Sequence, residues 1–288
     1  MKKPLFQGVC TAMVTPFLNG DVNYPMMEQL LKRQLDAGVK AVVICGTTGE
    51  APTLTEEEKL ELFHRSKSFV GNECMIIAGT GCNSTARTAE FSLAAQDEGV
   101  DGLLIVSPYY NKATPEGLIA HYLTVAHSVS IPIILYNVPT RTGLDIPTSV
   151  YRRLSMLPNI VGVKEAATDL TKVTRTCSSC SDFFVWTGND EHIVPAMSVG
   201  AQGVISVLSN VVPVETQAMT AAMLAGDLDT ATALQQQLQP LIDLLFCEVN
   251  PIPVKAAMKF LGYDCGNCRL PLTELSKENK ERLEAYLC

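Results

Sequence analysis

The sequence predicts an α/β chain closed into a (β/α)8 barrel of the TIM type, with a helical extension at its C-terminal end. Short apolar, β-branched runs recur at residues 9–14, 41–45, 75–79, 102–106, 131–136, 160–164, 184–187 and 203–207. Segments with apolar residues at helical spacing separate them, each long enough to cross back over a sheet, which is the pattern of successive βα units. After the eighth run the pattern is helical only. An open, doubly wound sheet is the weaker alternative, because no Gly-x-Gly-x-x-Gly follows the first run. The barrel is expected over residues 1–225 and the extension over residues 226–288.

The helical stretches carry their own signals. Met26, Leu30, Leu31 and Leu35 form the apolar stripe of the first, and Leu60, Leu62 and Phe63 that of the second. Thr55-Glu-Glu-Glu58 stands directly before the second stripe and reads as a capping box, with a threonine oxygen and a glutamate carboxylate satisfying the first free backbone N–H groups. In the extension, helices are expected at residues 214–224, 228–246, 252–261 and 272–286. Pro251 and Pro253 mark a junction there, and residues 262–267 read as a loop.

Composition restricts what the chain can do. Of 288 residues, 47% are hydrophobic and 18% charged, which supports a sizeable core. A formal net charge of −8, with no basic stripe, argues against nucleic-acid or anionic-membrane partners. Neither a signal-peptide pattern nor a membrane-length apolar run is present, so a cytoplasmic location is expected, with the ten cysteines reduced. Cys45 and Cys74 lie in apolar runs as small hydrophobes. The pairs Cys177/Cys180 and Cys265/Cys268 have C-x-x-C spacing, but their separation in sequence and the lack of a strand–helix redox context favour free thiols near the surface over a metal or redox site.

In such a barrel the chemistry sits at the C-terminal ends of the strands. Period-two alternation in Ile160-Val-Gly-Val-Lys-Glu165 puts Gly162 and Lys164 on one face and Val161, Val163 and Glu165 on the other. If the Gly162 face looks inward, Lys164 is desolvated, which favours a neutral amine able to attack a carbonyl; a buried Lys–Glu ion pair or a lysine reaching solvent is the structural alternative. Thr47 and Thr48 lie in Cys45-Gly-Thr-Thr-Gly-Glu50, a glycine-flanked turn whose N–H groups can converge on a small carboxylate, or an ordinary barrel loop. Tyr136 and Tyr110 can pass protons together with a threonine, although most tyrosines simply pack. Arg141, framed by Pro139 and Gly143 in a loop over the mouth, suits bidentate capture of a carboxylate, or pairing with a neighbouring acid.

Four motifs, Gly46-Thr-Thr-Gly-Glu50, Tyr109-Tyr-Asn-Lys112, Tyr136-Asn-Val-Pro-x-Arg-Thr-Gly143 and Val161-Gly-Val-Lys-Glu165, stand in an order and spacing that resembles the dihydrodipicolinate synthase family over essentially the whole chain. The resemblance implies a lyase of the diaminopimelate and lysine pathway that condenses pyruvate with aspartate semialdehyde without metal or organic cofactor. It implies an imine on Lys164, proton transfer by Tyr136 relayed through Thr47 and Tyr110, and a pyruvate carboxylate held by Thr47 and Thr48. It further implies that Arg141 binds the semialdehyde carboxylate and that Gly188, Gly203 and Ile205 line the pyruvate end. A homotetramer built as a dimer of dimers is implied, with Tyr110 inserted from a neighbouring subunit.

The departures concern regulation. Where feedback-inhibited members hold a lysine effector, this chain has Ala51, Pro52, Glu56, Lys59, Asn83, Arg87 and Tyr109, of which only the asparagine and tyrosine match. Two added cations repel a cationic effector, so weak or absent lysine inhibition is expected. N-acetylneuraminate lyases and keto-deoxy sugar-acid aldolases share the fold and the lysine but generally lack an arginine at the Arg141 position. A non-catalytic binding protein on the same barrel is the rival from another class.

Overall fold

The structure is a computed structural model that describes residues 2–180 and 182–288. Eight parallel strands close into a barrel: β1 (Gly8–Ala12), β2 (Ala41–Ile44), β3 (Met75–Gly79), β4 (Gly102–Val106), β5 (Ile133–Asn137), β6 (Ile160–Glu165), β7 (Phe184–Thr187) and β8 (Gly203–Ser206). Each pairs with its neighbour in sequence, and β8 returns to β1, with Cys10 opposite Ile205. The eight predicted runs coincide with these strands to within one or two residues at their ends.

Alternation along the strands divides the core in two. Inward residues such as Cys10, Val43, Ile77, Leu104, Ile134, Tyr136, Trp186 and Ile205 form an interior cluster, and the opposite faces pack under the surrounding helices. Trp186 fills the interior, stacked on Phe6 with ring centroids 4.9 Å apart and its Nε1 donating to the Phe6 carbonyl. One register shift breaks the alternation. Ile133 faces Ile160 but Ile134 faces Gly162, so Val161 bulges and joins the interior cluster instead of the outer face that strict alternation assigns to it.

The helices around the barrel are α1 (Tyr24–Asp36), α2 (Glu56–Val70), α3 (Thr85–Asp97), α4 (Pro115–Ser128), α5 (Thr148–Leu154), α6 (Leu170–Ser179), α7 (Ile193–Ser198) and α8 (Pro213–Ala225). The capping box at α2 forms as expected, with Thr55 accepting from Glu58 N–H and the Glu58 carboxylate accepting from Thr55 N–H. The extension contributes α9 (Leu228–Leu245), α10 (Ile252–Phe260) and α11 (Lys277–Leu287). The last of these starts five residues later than its apolar pattern indicates. Leu275 is buried outside the helix, and the Ser276 hydroxyl and Asn279 amide both donate to Glu248, which fixes the entry to α11 at that point.

The Cys pairs do not converge on a common site, and among the described residues no cluster of three or more His, Cys, Asp or Glu could hold a metal ion. They are less superficial than their sequence context indicates: Cys180 and Cys265 are buried, and burial pushes the Cys265 thiol up to about 12. Among the described residues no helix is long and apolar enough to cross a membrane.

Candidate active site

At the C-terminal end of the strands a cleft of about 600 Å³ opens, lined among others by Thr47, Tyr109, Tyr136 and Arg141. Below it, Tyr136 on β5 and Lys164 on β6 are register partners, and the Lys164 ammonium nitrogen lies 4.6 Å from the centroid of the Tyr136 ring. Lys164 is only 5% exposed. Its face is the inward one, so the lysine ends in the barrel and not in solvent.

Glycine creates the room for it. A Cβ on Gly188, just after β7, would lie 2.9 Å from Lys164 Cε and 2.8 Å from Ala166 Cβ, closer than real side-chain carbons approach. The adjacent Glu165 does not pair with Lys164. It points outward, where its carboxylate accepts from Asn137 Nδ2 at 2.6 Å and Tyr151 OH at 3.0 Å and lies 3.6 Å from Lys172. Burial raises its pKa, with Lys172 and these hydrogen bonds acting in the other direction. Asn137 and Glu165 follow Tyr136 and Lys164, so their bond ties together the two strand ends that present the inward pair.

The Thr47–Thr48 turn sits at the end of β2. Cys45 and Glu50 adopt left-handed φ angles of 56° at its two ends, and the N–H groups of Gly49 and Glu50 fold back onto the carbonyls of Gly46 and Thr47. Among the described residues no protein acceptor faces the N–H groups of Thr47 and Thr48. The turn is anchored from below by Glu50, whose side chain is fully buried against Lys255 of α10 at 2.9 Å and also accepts from the Arg269 N–H. Thr48 is buried, and its hydroxyl oxygen accepts from Asn250 Nδ2 at 3.0 Å.

Arg141 lies on a single helical turn, Pro139–Thr142, in place of the expected irregular loop. Proline fits the first helical position, and Gly143 at φ 69° closes the turn. The guanidinium donates to the Asn250 backbone carbonyl at 3.3 Å and not to an acid.

Behind Lys164, Asp190 is buried and accepts from the N–H groups of Val207 and Leu208. Burial raises its pKa, opposed first by Ser206 and the backbone donors and last by the charge of Lys164.

The structure therefore brings Lys164, Tyr136, Thr47, Thr48, Arg141 and Gly188 to one end of the barrel, with Ile205 in the interior cluster beneath. It does not bring Gly203 there. Gly203 is the first residue of β8 and faces Gly8 at the opposite, N-terminal end; its φ of 151° and a Cβ position 1.9 Å from the Gly8 carbonyl oxygen make it a barrel-closure glycine. Tyr110 is 87% exposed with φ 74°, outside the cleft of its own chain. Asn250, Glu165 and Asp190 were missed by sequence reasoning. Only Pro251 and Pro253 stand out in that stretch of sequence, as a junction, and nothing local indicates that Asn250 reaches back to Thr48.

Fold and site define a (β/α)8 barrel enzyme with an inward lysine at the end of its sixth strand, the arrangement of an imine-forming lyase. The dihydrodipicolinate synthetase family model matches residues 5–288, and the chain belongs to that family. A 4-hydroxy-tetrahydrodipicolinate synthase of Thermoanaerobacter sp. (strain X514) is 44% identical over 286 residues, covering 99% of this chain and 96% of that protein. The crystal structure of dihydrodipicolinate synthase from Aquifex aeolicus superposes with a TM-score of 0.96 at 40% identity, covering 98% of this chain and 97% of that one. A structure described as the first monomeric dihydrodipicolinate synthase variant superposes with a TM-score of 0.97 at 41% identity, covering 98% and 96%.

Proposed function

We propose that this barrel catalyses the reaction after which its relatives are named, joining pyruvate to L-aspartate 4-semialdehyde to form 4-hydroxy-tetrahydrodipicolinate. The observation that carries the reading is Lys164, buried against the ring of Tyr136, which lines a cleft that Arg141 also borders. The Lys164 amine attacks the keto carbon of pyruvate and water leaves, giving an imine whose methyl group loses a proton to become an enamine. The enamine carbon attacks the aldehyde of the semialdehyde. The substrate amino group then displaces Lys164 from the imine, closing the ring and regenerating the amine.

Among the described residues the N–H groups of Thr47 and Thr48 are free and no acid pairs with Arg141, so the first suit the pyruvate carboxylate and the second the carboxylate of the other substrate. Tyr136, whose ring lies against the Lys164 amine, is the proton shuttle of both steps in this scheme, relayed through Thr47 and Tyr110. No step calls for a metal or an organic cofactor.

Tyr110 fits this scheme as a residue inserted into the site of a second copy, in a homotetramer built as a dimer of dimers. Its near-complete exposure and left-handed backbone support that reading. We place the enzyme in the cytoplasm, with residues 1–225 as the barrel and 226–288 as the extension.

Borohydride reduction in the presence of pyruvate tests the nucleophile, and a reduced adduct is expected on Lys164. An unmodified lysine refutes the proposal. Turnover of sialic acid but not of the semialdehyde would favour the sugar-acid lyases instead. Arg141→Ala is expected to weaken semialdehyde use far more than imine formation.

A further inference from the structure

We propose that Asn250, from the C-terminal extension, is a positioning residue that sets the polarity of the Thr48 hydroxyl so that its proton points at the substrate carboxylate. The inference rests on the reading of Thr48 as part of the pyruvate site. A hydroxyl has one proton to donate and lone pairs to accept with. Asn250 Nδ2 occupies the accepting side of Thr48 Oγ1 at 3.0 Å, and among the described residues no protein acceptor takes the Thr48 proton. Both residues are buried, so solvent does not compete for that proton. It remains available for an anion in the turn where the N–H groups of Thr47 and Thr48 are also free.

The same residue reaches the other proposed carboxylate site through its main chain. Arg141 Nη2 donates to the Asn250 carbonyl at 3.3 Å, so one residue touches Thr48 with its side chain and Arg141 with its backbone. This separates the two functions by atom. A side-chain substitution removes the Thr48 contact and leaves the carbonyl that Arg141 uses. Among the described residues the Asn250 Oδ1 atom has no partner, so the only side-chain hydrogen bond of the amide is the Nδ2 donation to Thr48, and its direction is what substitution reads out.

The test is the pyruvate concentration that half-saturates borohydride trapping at Lys164, measured beside the KM for the semialdehyde. A carboxylate can only accept, so Asn250→Asp takes the Thr48 proton for itself and adds a charge beside the substrate anion. Half-saturation by pyruvate is expected to rise at least about tenfold, the size of a lost charge-assisted hydrogen bond. Asn250→Ala, which also serves if the aspartate variant does not fold, is expected to raise it several-fold while the semialdehyde KM stays within about twofold.

In a Thr48→Val background, Asn250→Ala is expected to have no further effect on pyruvate, because the group it acts through is gone. Unchanged pyruvate half-saturation in the variants, equal loss for both substrates in Asn250→Ala, or additivity with Thr48→Val would each overturn the proposal. A wild-type protein that forms no adduct at all would instead overturn the underlying reading of Lys164, a result visible before any variant is made.

Discussion

Gly188→Ala adds one methyl group directly against the proposed nucleophile. The backbone at Gly188 lies outside the left-handed region, so alanine is tolerated conformationally and the effect is purely one of space. The new Cβ would meet Lys164 Cε at 2.9 Å and Ala166 Cβ at 2.8 Å. Carbon atoms rest about 3.5–4.0 Å apart, so the lysine stem must retreat by roughly 0.6–1 Å. A displacement of about 1 Å at a reacting group costs on the order of a hundredfold in rate. Overpacking adds about 1–3 kcal/mol of destabilisation, read as a few degrees in Tm. The assay is single-turnover imine formation with pyruvate, trapped by borohydride, alongside thermal unfolding. A folded Gly188→Ala protein that forms the adduct at the wild-type rate would refute the claim that this glycine makes room for Lys164.

Lys255→Met leaves Glu50 buried without its cation, and the loss in stability is expected at about 3–5 kcal/mol by denaturant titration, with a smaller loss in the Lys255→Met/Glu50→Gln double variant. Pyruvate affinity should fall with it, since Glu50 anchors the Thr47–Thr48 turn. His121 is buried on α4 with Nε2 unpartnered, and burial lowers its pKa to about 4. Its folded value lies below the unfolded 6.5, so its contribution to stability is present above pH 6.5 and declines as the pH falls toward 4. His121→Phe should therefore lose less stability than wild type between those limits, by up to about 3 kcal/mol; equal acid sensitivity would refute this assignment. Lysine at millimolar concentration should leave activity nearly unchanged, because Arg87 and Lys59 line that part of the cleft and Arg87 is held by Glu56 at 2.6 Å. A saturable inhibition curve would count against it.

Much of this was readable from the chain. The eight strands followed from short β-branched runs, because a strand buried on both faces needs apolar residues throughout, and the α2 capping box followed from four consecutive residues. Alternation put Lys164 on the face of Gly162, and closure of the barrel turned that face inward. The same alternation misplaced Val161, since a bulge is a property of the paired strand and not of one strand's own sequence. A glycine says that something comes close without naming it. At Gly188 the neighbour is Lys164, and at Gly203 it is the backbone of Gly8 at the far end of the barrel.

What the sequence determined by itself was local and periodic: which segments become strands and helices, which face of β6 carries the lysine, and which turns can present backbone N–H groups. What the tertiary structure decided was which distant residues meet. Asn250 lies 202 positions from Thr48 and 109 from Arg141, and Lys255 lies 205 from Glu50, yet each pair is in contact. Hydrophobic period and capping chemistry act over a turn or a pleat, whereas a contact between the extension and the barrel mouth arises only when packing of the closed barrel brings the two chain segments together.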